Sequence, residues 1–131
     1  MRKSKVFIVD DDPVFTKIIE HNFLAQNVKD VLALSSGEEC LKQLNTKPKL
    51  ILLDFTLGRL NGLDVLKEIR KKSPRTEVII VTALNDDAVK QKCLQAGASD
   101  YINKDETGLA KLRDEVIPRF KKSGLLSFIR T

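Results

Sequence analysis

The chain has 131 residues, 42% of them apolar and 31% charged, which fits one globular domain with a real core and is too apolar for a disordered segment. No apolar run approaches the ~20 residues needed to cross a bilayer, and Met1-Arg2-Lys3-Ser4-Lys5 leads straight into a short apolar run rather than a secretory signal, so a cytoplasmic location without membrane attachment is expected. The net charge of +5 belongs to the end of the chain: residues 1–106 carry 17 basic and 16 acidic side chains and residues 107–131 carry 6 and 2, too small an excess to imply nucleic-acid contact.

The first apolar run, Val6-Phe7-Ile8-Val9, is followed by a helical pattern, Phe15/Ile18/Ile19/Phe23, entered through Asp12-Pro13: a capping side chain and a proline at the first helical position. Val31-Leu32-Ala33-Leu34 comes next, then a helix over Leu41/Leu44 opened by the capping box Ser36-x-x-Glu39. Leu50-Ile51-Leu52-Leu53 precedes a helix capped by Asn61 with Leu63/Leu66/Ile69. Val78-Ile79-Ile80-Val81 precedes one capped by Asn85, with Val89/Cys93/Leu94, that stops at Gly97. A weaker run, Tyr101-Ile102, leads to Leu109/Leu112/Val116/Phe120. Runs apolar on successive residues suit strands buried on both faces, so the alternation predicts an α/β fold, a (βα)5 doubly wound parallel sheet with helices on both sides. Cys40 and Cys93 stand alone on helical faces, and His21 falls in a helix without metal-ligand spacing.

In open parallel sheets ligands collect at the carboxyl ends of the strands. Those ends read Asp10-Asp11-Asp12, Asp54, Thr82 and Lys104. Carboxylates gathered on one edge repel unless a cation offsets them, and a hard divalent ion such as Mg2+ suits oxygen donors that leave room for water and phosphate. A carboxylate can also act as a nucleophile towards phosphorus, with Lys104 and Thr82 able to neutralise or hydrogen-bond phosphoryl oxygens. Asp12, beside Pro13, reads as a cap rather than a ligand.

Together, Val9-Asp10-Asp11-Asp12-Pro13, Leu53-Asp54 with Asn61-Gly62 beyond it, Val81-Thr82-Ala83 and Gly97-Ala98-x-Asp100-Tyr101-x-x-Lys104 resemble the receiver domains of two-component response regulators, over residues 5 to about 121. The resemblance implies a flavodoxin-like strand order 2-1-3-4-5. It implies Asp54 as phosphoacceptor, and Mg2+ held by Asp10, Asp11, Asp54 and the Thr56 backbone carbonyl. Thr82 and Lys104 would touch the phosphoryl group, and Thr82 and Tyr101 would form the switch. The implied partners are a histidine kinase or phosphotransfer protein and a downstream protein target, met on the face of the fourth helix, fifth strand and fifth helix. Two departures stand out: Lys104 is followed by Asp105 where the family usually has proline, so Asp105 is expected to compete for the ammonium, and Gly58 replaces a proline common four residues after the acceptor.

Two other functions stay open at this point. A haloacid-dehalogenase-like phosphatase would use Asp10 and Asp12 as nucleophile and acid, leaving Asp54 idle; a receiver-like adaptor or dimerisation module would work without phosphorylation. No recognition helix or zinc motif is present, so direct nucleic-acid binding by this chain is not expected. On this resemblance the chain is expected to divide into a receiver domain, 1–121, and a basic and apolar tail, 122–131. Pro118 is expected to bend the last helix. Leu125, Leu126, Phe128 and Ile129 are expected to order the tail and support a homodimer, through it or through the fifth-helix face.

Overall fold

The computed structural model describes the backbone of residues 5–130 and the side chains of residues 5–123. Five strands, β1 (Val6–Val9), β2 (Val31–Leu34), β3 (Leu50–Leu53), β4 (Glu77–Thr82) and β5 (Asp100–Asn103), form one sheet in the order β2-β1-β3-β4-β5, every pair parallel. The helices are α1 (Pro13–Ala25), α2 (Gly37–Gln43), α3 (Gly62–Lys72), α4 (Asp87–Gln95), α5 (Glu106–Lys111) and α6 (Ile117–Arg130), with a 3-10 turn at Leu44–Thr46.

Successive residues of a strand point to opposite faces, and the sheet uses both. Phe7 and Val9 join Ile51, Leu53, Val78 and Ile80 against α2, α3 and α4, where Val65, Leu66 and Ile69 are fully buried. Val6 and Ile8 join Leu50, Leu52 and Ile79 against Phe15, Ile19 and Phe23 of α1 and against Leu112, Val116 and Ile117 near the chain's end. Strands β1 and β3, and Val78–Val81 of β4, are therefore continuously apolar. The β2 run reads the same way in sequence but lies on the sheet edge, with Ala33 exposed and only Leu34 buried. Cys40 and Cys93 are free thiols in the core, and burial pushes Cys40 up to about 12.

The caps follow the sequence with two adjustments. Asp12, Ser36 and Asn61 cap α1, α2 and α3 as expected, but α4 is capped by Asp86, one residue after Asn85. In the α2 box, Ser36 Oγ accepts from the Glu39 amide (3.1 Å), whereas the Glu39 carboxylate accepts from the amide and hydroxyl of Ser35 (3.4 and 3.2 Å). Gly97 ends α4 with φ +110°, a conformation that favours glycine.

Pro118 does not stop the last helix. Residues Leu112–Val116 take π geometry, and the Ile117 amide donates to the Leu112 carbonyl five residues back. The next carbonyl in that register, Arg113, would need the N–H that Pro118 lacks; Gln26 Nε2 supplies the hydrogen bond instead, at 2.8 Å. α6 then continues to Arg130, through the expected domain boundary at residue 121. The side chains of Leu125, Leu126, Phe128 and Ile129, on which the tail expectation rests, lie outside the described residues.

Candidate functional site

Asp10, Asp54, Thr82 and Lys104 follow or end strands β1, β3, β4 and β5, so the parallel topology delivers them to one edge. Asp10 and Asp54 are buried, at 5% and 6% exposure, although both are acids. Lys104 joins them: its Nζ lies 2.7 Å from Asp10 Oδ2 and 3.1 Å from Asp54 Oδ2. The second oxygens are held by backbone, Asp10 Oδ1 accepting from the Asp12 amide (2.9 Å) and Asp54 Oδ1 from the Thr56 amide (3.2 Å). Burial raises Asp10 above its ordinary carboxylate value against the pull of Lys104. Burial by itself would lower Lys104, but its bond to Asp10 and the charge of Asp54 outweigh this and raise it.

Asp11 is exposed, and one carboxylate oxygen from each of Asp10, Asp11 and Asp54 falls within 4.8 Å of the others. Three carboxylates faced by one ammonium leave an excess of negative charge among hard oxygen donors, so the residues fit a hard divalent cation. Asp12 is committed elsewhere: its Oδ1 accepts from the amides of Val14 and Phe15 (3.0 and 3.3 Å), leaving the phosphatase reading without its acid.

Asp105, expected to compete for Lys104, instead caps α5 by accepting from the Gly108 amide at 2.7 Å. The turn is so close that a Cβ on Gly108 would run into the Asn103 carbonyl. An acid after the lysine thereby turns the chain at once into a helix.

Thr82 is 1% exposed; its Oγ1 accepts from the Leu84 amide (3.3 Å) and its carbonyl accepts from the Lys104 amide (2.9 Å). Tyr101 is turned inward and its hydroxyl donates to the Leu84 carbonyl at 2.5 Å. Burial, foremost, pushes Tyr101 up to about 12, so it stays a donor across the neutral range. Two participants escaped the sequence reading. Asn103 Nδ2 is a second donor to Leu84 O (3.2 Å), and the Phe15 ring lies 4.4 Å from Lys104 Nζ, close enough for a cation–π contact. Phe15 was legible only as a core position of α1.

The family model for the response regulator receiver domain matches residues 6–116. The chain is a response regulator receiver domain. Over 102 residues the receiver domain is 36% identical to the alkaline phosphatase synthesis transcriptional regulatory protein PhoP of Bacillus subtilis, a match covering 77% of this chain and 42% of that protein. Over 101 residues it is 39% identical to the transcriptional regulatory protein CpxR homolog of Haemophilus influenzae, covering 77% and 44%. It thus spans less than half the length of these curated relatives. Among solved structures, the Francisella response regulator 1452 receiver domain matches with a TM-score of 0.74 at 29% identity, over 89% of this chain and 98% of that one. The BeF3-activated DrrB receiver domain matches with a TM-score of 0.74 at 28% identity, over 92% and 97%. Among the described residues no helix is long and apolar enough to cross a membrane.

Proposed function

We propose that this receiver domain accepts a phosphoryl group on Asp54 from the phosphohistidine of a histidine kinase or phosphotransfer protein, in a Mg2+-dependent reaction in the cytoplasm. The observation that carries the reading is the Asp54 carboxylate, buried at the end of β3 yet held at both oxygens, by Lys104 and by the Thr56 amide. In the transfer an Asp54 oxygen forms the bond to phosphorus, the phosphorus–nitrogen bond of the donor breaks, and the imidazole leaves with that electron pair. Mg2+, when bound by Asp10, Asp11, Asp54 and the Thr56 carbonyl, would supply positive charge for the phosphoryl oxygens.

The chain's own groups have separate tasks. Lys104, already beside Asp54 Oδ2, follows the charge as it moves onto the phosphoryl oxygens. The Thr82 hydroxyl accepts from the Leu84 amide and so keeps its proton to donate. Drawing Thr82 towards a phosphoryl oxygen would move Leu84, whose carbonyl holds both Tyr101 and Asn103. That linkage supports a switch passing from Thr82 to Tyr101 and read by a downstream target on the α4, β5 and α5 face. The domain acts as a signalling module, with self-dephosphorylation slow. The receiver unit over 1–121 with the segment 122–131 as a tail, and homodimerisation through either surface, belong to the same proposal.

Intact mass after treatment with acetyl phosphate and Mg2+ tests it. One added phosphoryl group is expected on the parent chain and none on Asp54→Asn; equal labelling of the two would overturn the assignment.

A further inference from the structure

At the amino edge of the sheet, across the molecule from Asp54, lies a groove of about 1190 Å³ between the ends of α2 and α3, the loops entering β3 and β4, and Ser123 of α6. The four residues of β3 separate it from Asp54 by roughly 13 Å. Its floor is apolar, made by Leu41, Leu44 and Pro48, the last two buried. The floor is also fixed in place. Thr76 Oγ1 donates to the Pro48 carbonyl (2.7 Å) and lies 2.6 Å from Ser73 Oγ, tying the two loops together. Arg70 Nη1 donates to the Pro74 carbonyl at 2.9 Å, and Nη2 donates to the Thr76 carbonyl.

The rim is cationic. Lys42, Lys47, Lys49, Lys72 and Arg75 all line the groove and all are exposed. Among the described residues, Lys42, Lys47, Lys49 and Arg75 have no carboxylate within ion-pair distance. Glu77 is the one acid of the lining, and its Oε2 is taken by Ser99 Oγ (2.7 Å) and Arg119 Nη2 (3.1 Å). Lys47 also has φ +56°, a left-handed conformation that is unfavourable for lysine and would cost glycine little. A preformed apolar floor ringed by five cations, four of them without an ion-pair partner among the described residues, is complementary to carboxylates carried beside an aliphatic side chain. Among the described residues no aromatic ring lines it, so these residues offer no stacking platform of the kind that single-stranded nucleic acid uses.

We propose that this groove docks an acidic peptide segment of a partner protein, an aliphatic side chain seating on Leu41, Leu44 and Pro48 while neighbouring carboxylates meet the lysines and Arg75. The site is separate from the phosphoacceptor edge, so it holds its partner whether or not Asp54 is modified.

The probes are three fluorescein-labelled acidic peptides, each carrying two leucines among glutamates and differing in the leucine spacing, titrated against the full chain by anisotropy. At least one should saturate below about 1 mM, weaken with added salt and lose binding when its leucines become serines. Combining Lys47→Glu, Lys49→Glu and Arg75→Glu should weaken it by about tenfold or more. Lys17→Glu, Lys67→Glu and Lys92→Glu combined, the same change in net charge on exposed sites elsewhere, should not. Circular dichroism and acetyl phosphate labelling establish that both variants are folded. Absence of saturation with all three peptides, or equal loss in both variants, would overturn the proposal. So would tighter binding of an oligothymidine of equal length, which would make the groove a nucleic-acid surface.

Discussion

The two edges of the sheet handle charge in opposite ways. At the carboxyl edge, Asp10, Asp54 and Lys104 are withdrawn from water and share partners, so each oxygen has an assigned neighbour. At the amino edge, Lys42, Lys47, Lys49 and Arg75 stand in solvent, with no carboxylate within ion-pair distance among the described residues. Buried charges depend on one another and on the turns that deliver them, whereas exposed charges act almost independently. A single substitution should therefore be strongly felt at the first edge and barely felt at the second.

The largest expected effect on stability comes from the turn that delivers Lys104. Gly108→Ala places a methyl group against the Asn103 carbonyl and should destabilise the fold by about 3 kcal/mol, read from urea unfolding. A loss below about 0.5 kcal/mol would mean that the turn relaxes and that the carboxyl edge is less tightly built than described.

Next come the two exposed acids after β1, which the geometry separates. Asp11→Ala should weaken Mg2+ binding by at least about tenfold in calorimetric titration, because it removes one of three converging carboxylates. Asp12→Ala should leave Mg2+ affinity nearly unchanged and cost ~1 kcal/mol of stability through the lost α1 cap. A reversed order would undo the assignment of ligand and cap.

Asp10 sharpens the comparison in the opposite direction. Because burial raises its value above 3.8, the folded state binds this proton more tightly than the unfolded chain does. As pH rises from below 3.8 through the raised folded value, Asp10 therefore subtracts stability. In metal-free buffer Asp10→Asn should stabilise the protein at neutral pH and flatten that part of the pH profile. Lys104 behaves as a raised base: its support is fully present below 10.5 and is lost as pH rises through its folded value. At the amino edge, Lys42→Ala and Lys49→Ala should each change stability by less than about 0.5 kcal/mol.

Much of this architecture was legible in the sequence, and the reasons differ from one element to another. Strands β1, β3 and β4 announce themselves because both of their faces are buried, which leaves no polar interruption. The β2 run looked equivalent, since its local apolar pattern does not mark it as an edge strand; only the strand order implied by the resemblance put it there. Asp12, Ser36 and Asn61 were readable as caps because their neighbours fix the helix start. Asn85-Asp86 offered two capping side chains in succession, and only the backbone decides between them.

The candidate site was legible residue by residue because each member ends a strand. Its connections were not. Lys104 reaching the Phe15 ring, and Asn103 reaching Leu84, join segments far apart in the chain, and no local pattern encodes such contacts. Asp105 was misjudged for a related reason: an acid beside a lysine suggests an ion pair, but its φ of −129° places it as a helix cap. The amino-edge groove was invisible because its cations come from the ends of two helices and from two separate loops and never form a run.

The π turn before Pro118 has a consequence for every residue after it. An α-helix advances about 100° per residue, so one extra residue accommodated at Leu112–Val116 offsets the azimuth of all of α6 by about that angle. Phe120, whose ring meets Phe23 edge-on at 6.5 Å, owes its direction to that offset. A helical wheel drawn straight through the segment from Leu109 onward would aim Phe120 at the wrong quadrant.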